Sequence, residues 1–286
     1  MKKKIILLAF ASSDLKKSVD RFQIQAQNSG YYNQIRIFTE KNIDEICLSK
    51  VKEIIKKSGG RGFGYWFWKP YLIQNILKQM GDNDILHYLD IGCHIINNKK
   101  KKFKELINLL ENDKIGILGF KYDKPKGEFD KNIQFPNREE FKFTKADVFN
   151  YFNYLNNKNV TNTAQYWAGS IFIKKNSFTI KFVNEWLDVF YENINLVNDN
   201  ISVLKNFEGF VENRHDQSIY SLLCKKYNTT SLSAYYFDWI IKNNIRNWDL
   251  TSNSPFIAYR DLKYNLIRRF FNRQKKNLRR IIKRLK

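Results

Sequence analysis

The sequence is poor in several features that would assign a protein class directly. Its three cysteines, Cys47, Cys93 and Cys224, are far apart and odd in number, so neither a disulfide framework nor a paired-cysteine metal site is expected. Such sparse use of cysteine is typical of a reducing compartment. No apolar run approaches the ~20 residues needed to span a bilayer. Neither a GxGxxG nor a Walker A sequence occurs, so a bound nucleotide would have to be held in another way.

The amino terminus, MKKKIILLAFASS, imitates a secretory signal because three lysines precede an apolar run. That run, residues 5–11, is at the short limit for a signal and suits a first core strand equally well. We therefore expect the chain to begin with a strand and to remain in the cytoplasm.

Acidic residues are also scarce, since 28 Asp and Glu stand against 50 Lys and Arg and give a formal charge of +22. Half of this charge lies in residues 260–286, where twelve basic residues accompany a single acid, Asp261. We therefore divide the chain into a domain, residues 1–258, and a basic tail, residues 259–286.

Apolar residues in the tail recur mostly every three or four positions, which lines one face of a helix. They are Leu262, Leu266, Phe270, Leu278, Ile281, Ile282 and Leu285. A basic amphipathic helix suits an anionic membrane surface, where each Lys or Arg contributes about 1 kcal/mol. The alternative is a helix that docks on its own domain.

Apolar runs alternate with helical patterns through the domain. The predicted strands are 4–10, 34–40, the run from 84 to 90, 114–120 and 165–175, and the predicted helices are 15–29, 44–57, 69–80, 103–112, 177–193 and 216–227. Continuous apolar strands between helices imply one α/β domain, a mostly parallel sheet with helices on both faces. The polar segment 121–143 is predicted to run over the surface.

Two strand ends carry short polar residues, and ligands of open α/β sheets bind beyond such ends. The first is ASSD, which contains Ser12, and the second is DIGCHI, which begins at Asp90. Asp90 is either a turn cap, a common role for Asp, or a ligand for a divalent cation that bridges a nucleotide diphosphate. Gly92 favours the second interpretation because a glycine lets another group approach the backbone.

The stretch RGFGYWFWKPYLI, residues 61–73, is rich in aromatic side chains between Arg61 and Lys69. We expect Phe63 and Phe67 to pack in the core. The Tyr and Trp side chains of this stretch have flat faces and polar atoms that suit stacking on a sugar or base. Arg61 and Lys69 could contact phosphate.

The stretch RHDQSIYSLL, residues 214–223, places an acid at a predicted helix start. Asp216 is either a helix cap or first-turn acid, or a catalytic carboxylate close to the acceptor. The adjacent His215 could touch metal or phosphate.

Four segments together, GYWFWKPYLI, DILHYLDIGCHI, QYWAGSIFIKK and RHDQSIYSLL, resemble bacterial glycosyltransferases of capsule and O-antigen synthesis with a GT-A-like, Rossmann-type fold. The resemblance runs from about residue 5 to residue 260. It implies transfer of a sugar from a nucleotide donor, expected to be a UDP-sugar, to a lipid-linked or growing surface glycan (capsule, O-antigen or lipooligosaccharide). It also implies an enzyme held peripherally on the inner face of the cytoplasmic membrane, with the basic tail as its contact.

The resemblance further implies roles for individual residues. Asp90 and Asp216 would be catalytic, and Asp90 would also bind a metal ion. The implied donor-binding residues are Ser12, Arg61, Tyr65, Trp66, Trp68, Lys69, Gly92 and Cys93, and the implied acceptor-binding residues are Gly169, His215 and Gln217. The usual Asp-x-Asp motif of such enzymes holds Mn²⁺ or Mg²⁺, the expected cofactor, but Gly92 stands here in place of its second acid.

A function of another class is a nucleic-acid-binding protein without enzymatic activity. Its support is the high isoelectric point and the aromatic residues interleaved with basic ones. Against it, the basic excess is concentrated at one end of the chain, and no RRM, OB or helix-turn-helix signature occurs. We therefore expect no nucleic-acid partner.

Overall fold

The computed structural model describes residues 3–259. The strands are β1 (Ile5–Phe10), β2 (Gln34–Phe38), β3 (Ile85–Leu89), β4 (His94–Ile95), β5 (Ile117–Lys121), β6 (Ile133–Gln134), β7 (Tyr166–Lys174), β8 (Thr230–Ser233), β9 (Ile240–Lys242), β10 (Ile245–Asn247) and β11 (Phe256–Ile257). The α-helices are α1 (Lys16–Ser29), α2 (Glu45–Ser58), α3 (Gly62–Tyr65), α4 (Trp68–Gln79), α5 (Lys100–Glu111), α6 (Glu140–Phe143), α7 (Ala146–Tyr151), α8 (Lys158–Thr161), α9 (Ser177–Glu192) and α10 (Asp216–Lys226).

The central sheet has six strands in the order β2-β1-β3-β7-β5-β8. Strand β1 is parallel to β2 and β3, and β5 is parallel to β8. Only β7 runs the other way among these strands, between β3 and β5. The predicted α/β class with a mostly parallel sheet is confirmed.

Helices cover both faces of this sheet because successive strand residues point to opposite sides. In β1, Leu8 packs with residues of α2, α4, α9 and α10, whereas Leu7 and Ala9 pack with residues of α1 and α5. The long apolar runs of the sequence therefore reflect strands that are buried on both faces.

The prediction of a surface segment at 121–143 is wrong in part. Tyr122 is buried, β6 pairs with β9 in a second sheet of order β10-β9-β6, and α6 buries Glu140 completely. Its polar composition concealed this, because a buried carboxylate is stable only where other side chains donate hydrogen bonds to it, and those donors are distant in sequence.

The predicted tail, 259–286, lies outside the described residues apart from Tyr259, so the domain boundary at 258 stays a prediction. The Tyr259 ring meets the His94 ring edge-on, with centroids 5.6 Å apart. Among the helices described within residues 3–259, none combines the length and the apolar character required to cross a membrane.

Candidate active site

Asp90 stands at the carboxyl end of β3, where the chain leaves the sheet. All five residues of β3 are buried, whereas the Asp90 side chain is 42% exposed. The following turn is closed by main-chain atoms, since Cys93 N–H donates to Asp90 O at 2.9 Å. The carboxylate instead accepts a hydrogen bond of 2.6 Å from the Tyr88 hydroxyl. The Asp90 carboxylate therefore points outward from the edge of the sheet, and it does not cap the turn.

A buried lysine connects the two acids that the sequence analysis singled out. Lys69 Nζ lies 2.7 Å from Asp216 Oδ2 and 3.8 Å from Asp90 Oδ1. It also donates to Ala168 O at 3.1 Å. The Lys69 and Asp216 side chains are 4% and 5% exposed, so of these three charged groups Asp90 is the one that meets solvent.

The charges of this cluster influence one another strongly. Burial lowers the pKa of Lys69, but the attraction of Asp216 and Asp90 outweighs it, so the pKa rises and the ammonium keeps its proton. For Asp216 burial is the largest effect and raises the pKa to about 6, although Lys69 opposes it; the Asp90 charge adds to the rise. Asp216 is therefore ionised at neutral pH but takes up a proton in mild acid.

Two helices begin at this cluster, α4 with Lys69 in its first turn and α10 with Asp216 as its first residue. Helix N-termini carry a positive partial charge that favours anions, although the N–H groups of Lys69 and Gln217 here already donate to Trp66 O at 2.9 Å and to Arg214 O at 3.1 Å. Pro70 suits the start of α4, because the first turn needs no donor from it. The ion pair brings both helix starts to the end of β3, and such a place can receive a phosphate group.

The aromatic loop before α4 is packed largely against itself. Trp68 is buried, donates from Nε1 to Gly62 O at 3.0 Å and stacks on Phe10 with centroids 4.1 Å apart. Tyr65 is buried too, and its hydroxyl donates to Ser58 O at 2.7 Å. These two expected donor-binding residues therefore hold the loop, with both polar atoms already engaged. Phe67 is in the core, as predicted, and Phe63 packs against it half-buried.

Trp66 and His215 form the half-open side of the cluster. Their rings stack with centroids 5.4 Å apart, and Trp66 remains half-buried. Tyr65 and Trp66 have φ angles of 53° and 62°, and His215 has φ 57° with ψ −123°. Non-glycine residues in such conformations cost about 1–3 kcal/mol each and are concentrated at functional sites.

His215 is neutral at physiological pH. Burial, followed by the Arg61 charge, lowers its pKa to about 4. Its Nδ1 donates to Val197 O at 2.6 Å, so Nε2 carries the lone pair. That Nε2 is buried and has no hydrogen-bond partner among the described residues. His215 Nε2 can thus accept a hydrogen bond or ligate a metal ion, and of the two contacts expected from the sequence, metal or phosphate, a neutral imidazole suits the metal better.

Arg61 lies at the rim of the cluster and is engaged in ion pairs. Its Nη1 is 2.9 Å from Asp199 Oδ1, and its Nη2 is 3.9 Å from Glu212 Oε2. The side chain is 35% exposed, so an incoming phosphate could compete for it.

Gly169 and Gln217, both expected on the acceptor side, support the backbone of β7. Gly169 O accepts from Asp90 N–H at 2.8 Å, and a Cβ at Gly169 would lie 2.2 Å from Nε1 of Trp167. Glycine is required there because the Trp167 indole covers the position. Gln217 donates from Nε2 to Gln165 Oε1 at 2.6 Å and is half-buried.

The remaining predicted residues lie along the same sheet edge. Ser12 follows β1, the parallel neighbour of β3, and is half-buried, as is Gly92. Cys93 is buried, and its carbonyl accepts from Arg21 Nη1 at 2.8 Å. Arg21 also donates to Ile91 O at 2.8 Å and so braces the loop after Asp90. Arg21 could not be recognised from the sequence, because an arginine on an amphipathic helix ordinarily faces solvent.

Few side chains of the candidate active site could act as ligands of a metal ion. Within residues 3–259, no three His, Cys, Asp or Glu side chains come together in a way that could hold a metal ion. Mn²⁺ or Mg²⁺ would find one carboxylate here, Asp90, and would take its other ligands from water and from phosphate oxygens, as Mg²⁺ often does. The residues therefore fit an ion that arrives with a diphosphate and not a resident metal.

No protein-family model and no curated protein sequence matches the chain. Among solved structures it is similar to the glycosyltransferase GlyE of Streptococcus pneumoniae TIGR4, with 14% identity and a TM-score of 0.37 over 83% of this chain and 46% of that one. The chain thus spans about half the length of GlyE. It is also similar to mouse xyloside xylosyltransferase 1, with 11% identity and a TM-score of 0.42 over 82% of this chain and 86% of that one. A glycosyltransferase involved in glycosylation of the major capsid of PBCV-1 is similar at 11% identity and a TM-score of 0.41, over 82% of this chain and 84% of that one. Similarities of this size carry no residue correspondence.

Proposed function

We propose that the chain is a glycosyltransferase that moves a sugar from a nucleotide-diphosphate donor, a UDP-sugar in the first instance, to a lipid-linked or growing surface glycan. The observation that supports this most is the cluster of Asp90, Lys69 and Asp216 at the carboxyl end of β3, where α4 and α10 also begin. It combines a solvent-facing carboxylate with helix starts that favour an anion, at the sheet edge where α/β proteins bind ligands.

The donor's diphosphate is the leaving group, and its growing negative charge must be stabilised. The starts of α4 and α10 supply positive partial charge, and Arg61 supplies a full charge at the rim. Trp66 offers a partly exposed ring for stacking on a base or sugar, with Ser12 and Gly92 nearby on the sheet edge. Mn²⁺ or Mg²⁺, held by Asp90 and the diphosphate, would add Lewis-acid stabilisation of the leaving group.

Asp90 and Asp216 differ in what they can reach. Asp90 is 42% exposed and is the carboxylate that we assign to the donor, whereas Asp216 is 5% exposed and faces Lys69. The pKa of Asp216, raised to about 6 by burial, suits a general base at neutral pH. The proposed base role for Asp216 therefore requires an acceptor hydroxyl that enters the cluster beside Lys69.

The acceptor is proposed to reach the enzyme at a membrane. The tail, 259–286, carries half of the excess positive charge, and its first residue, Tyr259, contacts His94, four positions after Asp90. A tail bound to the anionic inner face of the cytoplasmic membrane would hold this edge of the sheet close to lipid-linked glycans. Neither the described fold nor the comparisons support the nucleic-acid-binding alternative.

The proposal is tested by calorimetry with a panel of UDP-, GDP- and CDP-sugars, with and without Mn²⁺. We expect one nucleotide class to bind and Asp90→Ala to weaken that binding. Asp82→Ala is the matched control, since Asp82 is an exposed acid that precedes the other end of β3. Absence of binding by every donor, or an equal effect of both substitutions, would refute the proposed site. A steep salt dependence of RNA or DNA affinity would then revive the nucleic-acid alternative.

A further inference from the structure

A second buried ion pair lies behind the candidate active site. Glu140 Oε2 is 2.6 Å from Lys225 Nζ, and these side chains are 0% and 8% exposed. Glu140 Oε2 also accepts from the Ser221 hydroxyl, while Oε1 accepts from Thr144 Oγ1 at 2.7 Å and from Gln165 Nε2 at 2.9 Å. Four side chains of the protein thus donate to this carboxylate. Buried ion pairs are weak contributors to stability when compared with apolar side chains, so such a pair raises the question of another role.

The carboxylate of Glu140 fixes the direction of two amide side chains. An ionised carboxylate only accepts, so Gln165 must turn its NH₂ group to Glu140 and its Oε1 away. That Oε1 accepts from Gln217 Nε2 at 2.6 Å, which in turn directs Gln217 Oε1 to the N–H of Ala168, 3.3 Å away. Gln165 Nε2 also lies 3.2 Å from Thr144 Oγ1 and 3.5 Å from Phe143 O, but its bond to Glu140 is the shortest of the three. A neutral group at position 140 could donate as well as accept, so the direction of both amides would no longer be fixed by a carboxylate.

This chain of hydrogen bonds ends at the lysine of the candidate active site. Ala168 and Gly169 have no registered partner in β5, because the register of β5 and β7 shifts between Leu118 and Phe120, and the pairing of β7 with β3 ends at Ser170. The Ala168 peptide is held by side chains instead: its N–H donates to Gln217, and its carbonyl accepts from Lys69 Nζ at 3.1 Å. The same Nζ sets the separation of Asp90 and Asp216.

We propose that Glu140 is a positioning residue, which orients Gln165 and Gln217 so that the Ala168 peptide holds Lys69 between the two carboxylates of the active site. The expected effect on turnover rests on the proposed function. The hydrogen-bond network itself does not depend on which group is transferred.

The first test compares donor turnover in four variants of the full chain. Glu140→Gln loses the fixed amide direction, and we expect turnover to fall about 10- to 100-fold, the effect of small displacements of reacting groups, with donor KM little changed. Glu140→Gln combined with Gln165→Glu places an acceptor-only group next to Gln217 again and is expected to restore most of the turnover. Thr161→Val removes a buried hydroxyl whose hydrogen bond goes to Asn162 Oδ1, outside the chain of amides, and should leave turnover intact.

Glu140→Gln also leaves Lys225 without its partner and could fail to fold. Gln165→Met keeps the ion pair and interrupts only the amide chain, so it should reproduce the loss of turnover in a folded protein. Full turnover by Gln165→Met, or no restoration in the double variant when circular dichroism shows it folded, would overturn the proposal.

A second measurement does not depend on activity. In ¹⁵N-labelled protein, the side-chain NH₂ resonances of Gln217 should shift and exchange faster with water in Gln165→Met, but not in Thr161→Val. Unchanged Gln217 resonances would overturn the positioning role even if no sugar donor is ever turned over. Shifted resonances in a protein that binds no nucleotide sugar would uphold the network and refute the proposed function.

Discussion

Lys69→Met probes the central feature of the candidate active site, because it removes the charge that two carboxylates share and retains most of the side-chain volume. In the native protein Lys69 Nζ is 2.7 Å from Asp216 and 3.8 Å from Asp90, and it satisfies the Ala168 carbonyl. After the substitution Asp216 is buried beside a second carboxylate without a counter-ion. The pKa of Asp216 then rises further, because Lys69 no longer opposes the effects of burial and of the Asp90 charge.

The size of the effect follows from that pKa. Asp216 has a pKa of about 6 against an ordinary 3.8, so its ionised form already costs about 3 kcal/mol at pH 7, at about 1.4 kcal/mol per unit. Without Lys69 the carboxyl is expected to accept a proton at pH 7, which limits this cost to about 4 kcal/mol. The lost attraction between Lys69 and Asp90 and the unpaired Ala168 carbonyl add to this. We therefore expect a loss in the free energy of unfolding of about 3 kcal/mol at pH 7, the lower end for a broken buried ion pair.

The loss in the free energy of unfolding caused by Lys69→Met should be smaller at pH 5 than at pH 7. Near pH 5 Asp216 is already protonated in the native protein, so Lys69→Met costs less there than at pH 7. Urea denaturation of both proteins at the two pH values measures this difference, and Lys78→Met is the control because Lys78 is an exposed lysine in the last turn of the same helix. An equal loss at pH 5 and pH 7, or a loss as small as that of Lys78→Met, would show that Lys69 and Asp216 do not share a charge as described.

Three further outcomes are expected. In the wild type, kcat/KM should rise with pH through about 6 as Asp216 loses its proton, and Asp216→Asn should remove this acid limb and lower the plateau; an unchanged limb would assign it to another group. Gly169→Ala should destabilise the fold by about 1–3 kcal/mol, as overpacking does, because its Cβ would lie 2.2 Å from the Trp167 indole. Gly60→Ala, with only an ordinary contact at 3.8 Å, is the control in thermal unfolding, and equal melting temperatures for the two variants would contradict the steric argument. Deletion of residues 260–286 should abolish sedimentation with anionic vesicles and leave behaviour with neutral vesicles unchanged; retained binding would place the membrane contact elsewhere.

The sequence was sufficient to predict the strands and helices whose apolar patterns are continuous: those from β1 through β3, then α5 and β5, and finally β7, α9 and α10. Strands β4, β6 and β8 to β11 were not predicted because each is only two to four residues long, so their pairing depends on partners distant in the chain. Glu140 escaped for a related reason: its neighbours in sequence are polar, while the donors that allow its burial, Lys225 and Ser221, lie in α10.

The candidate site was predicted as a set of residues but not as an arrangement. Asp90, Asp216 and Lys69 were each recognisable from chemistry at the end of a strand or the start of a helix. That Lys69 lies between the two acids could not be read from spacing, because it depends on how α4 and α10 meet on the sheet. The burial of Tyr65 and Trp68 was equally invisible, since Tyr and Trp serve packing and binding alike.

The charge balance of the cluster limits how a nucleotide sugar could bind. Lys69, expected from the sequence to meet phosphate, is already matched by Asp216 and Asp90, so the three groups together carry one excess negative charge at neutral pH. A diphosphate adds more negative charge and must be neutralised by something other than Lys69. Arg61 can do so only by exchanging Asp199 and Glu212 for phosphate, whereas a divalent cation can be shared by Asp90 and the diphosphate. Donor binding that requires Mn²⁺ and survives Arg61→Met would support the cation, and Mn²⁺-independent binding that Arg61→Met abolishes would assign the neutralisation to Arg61.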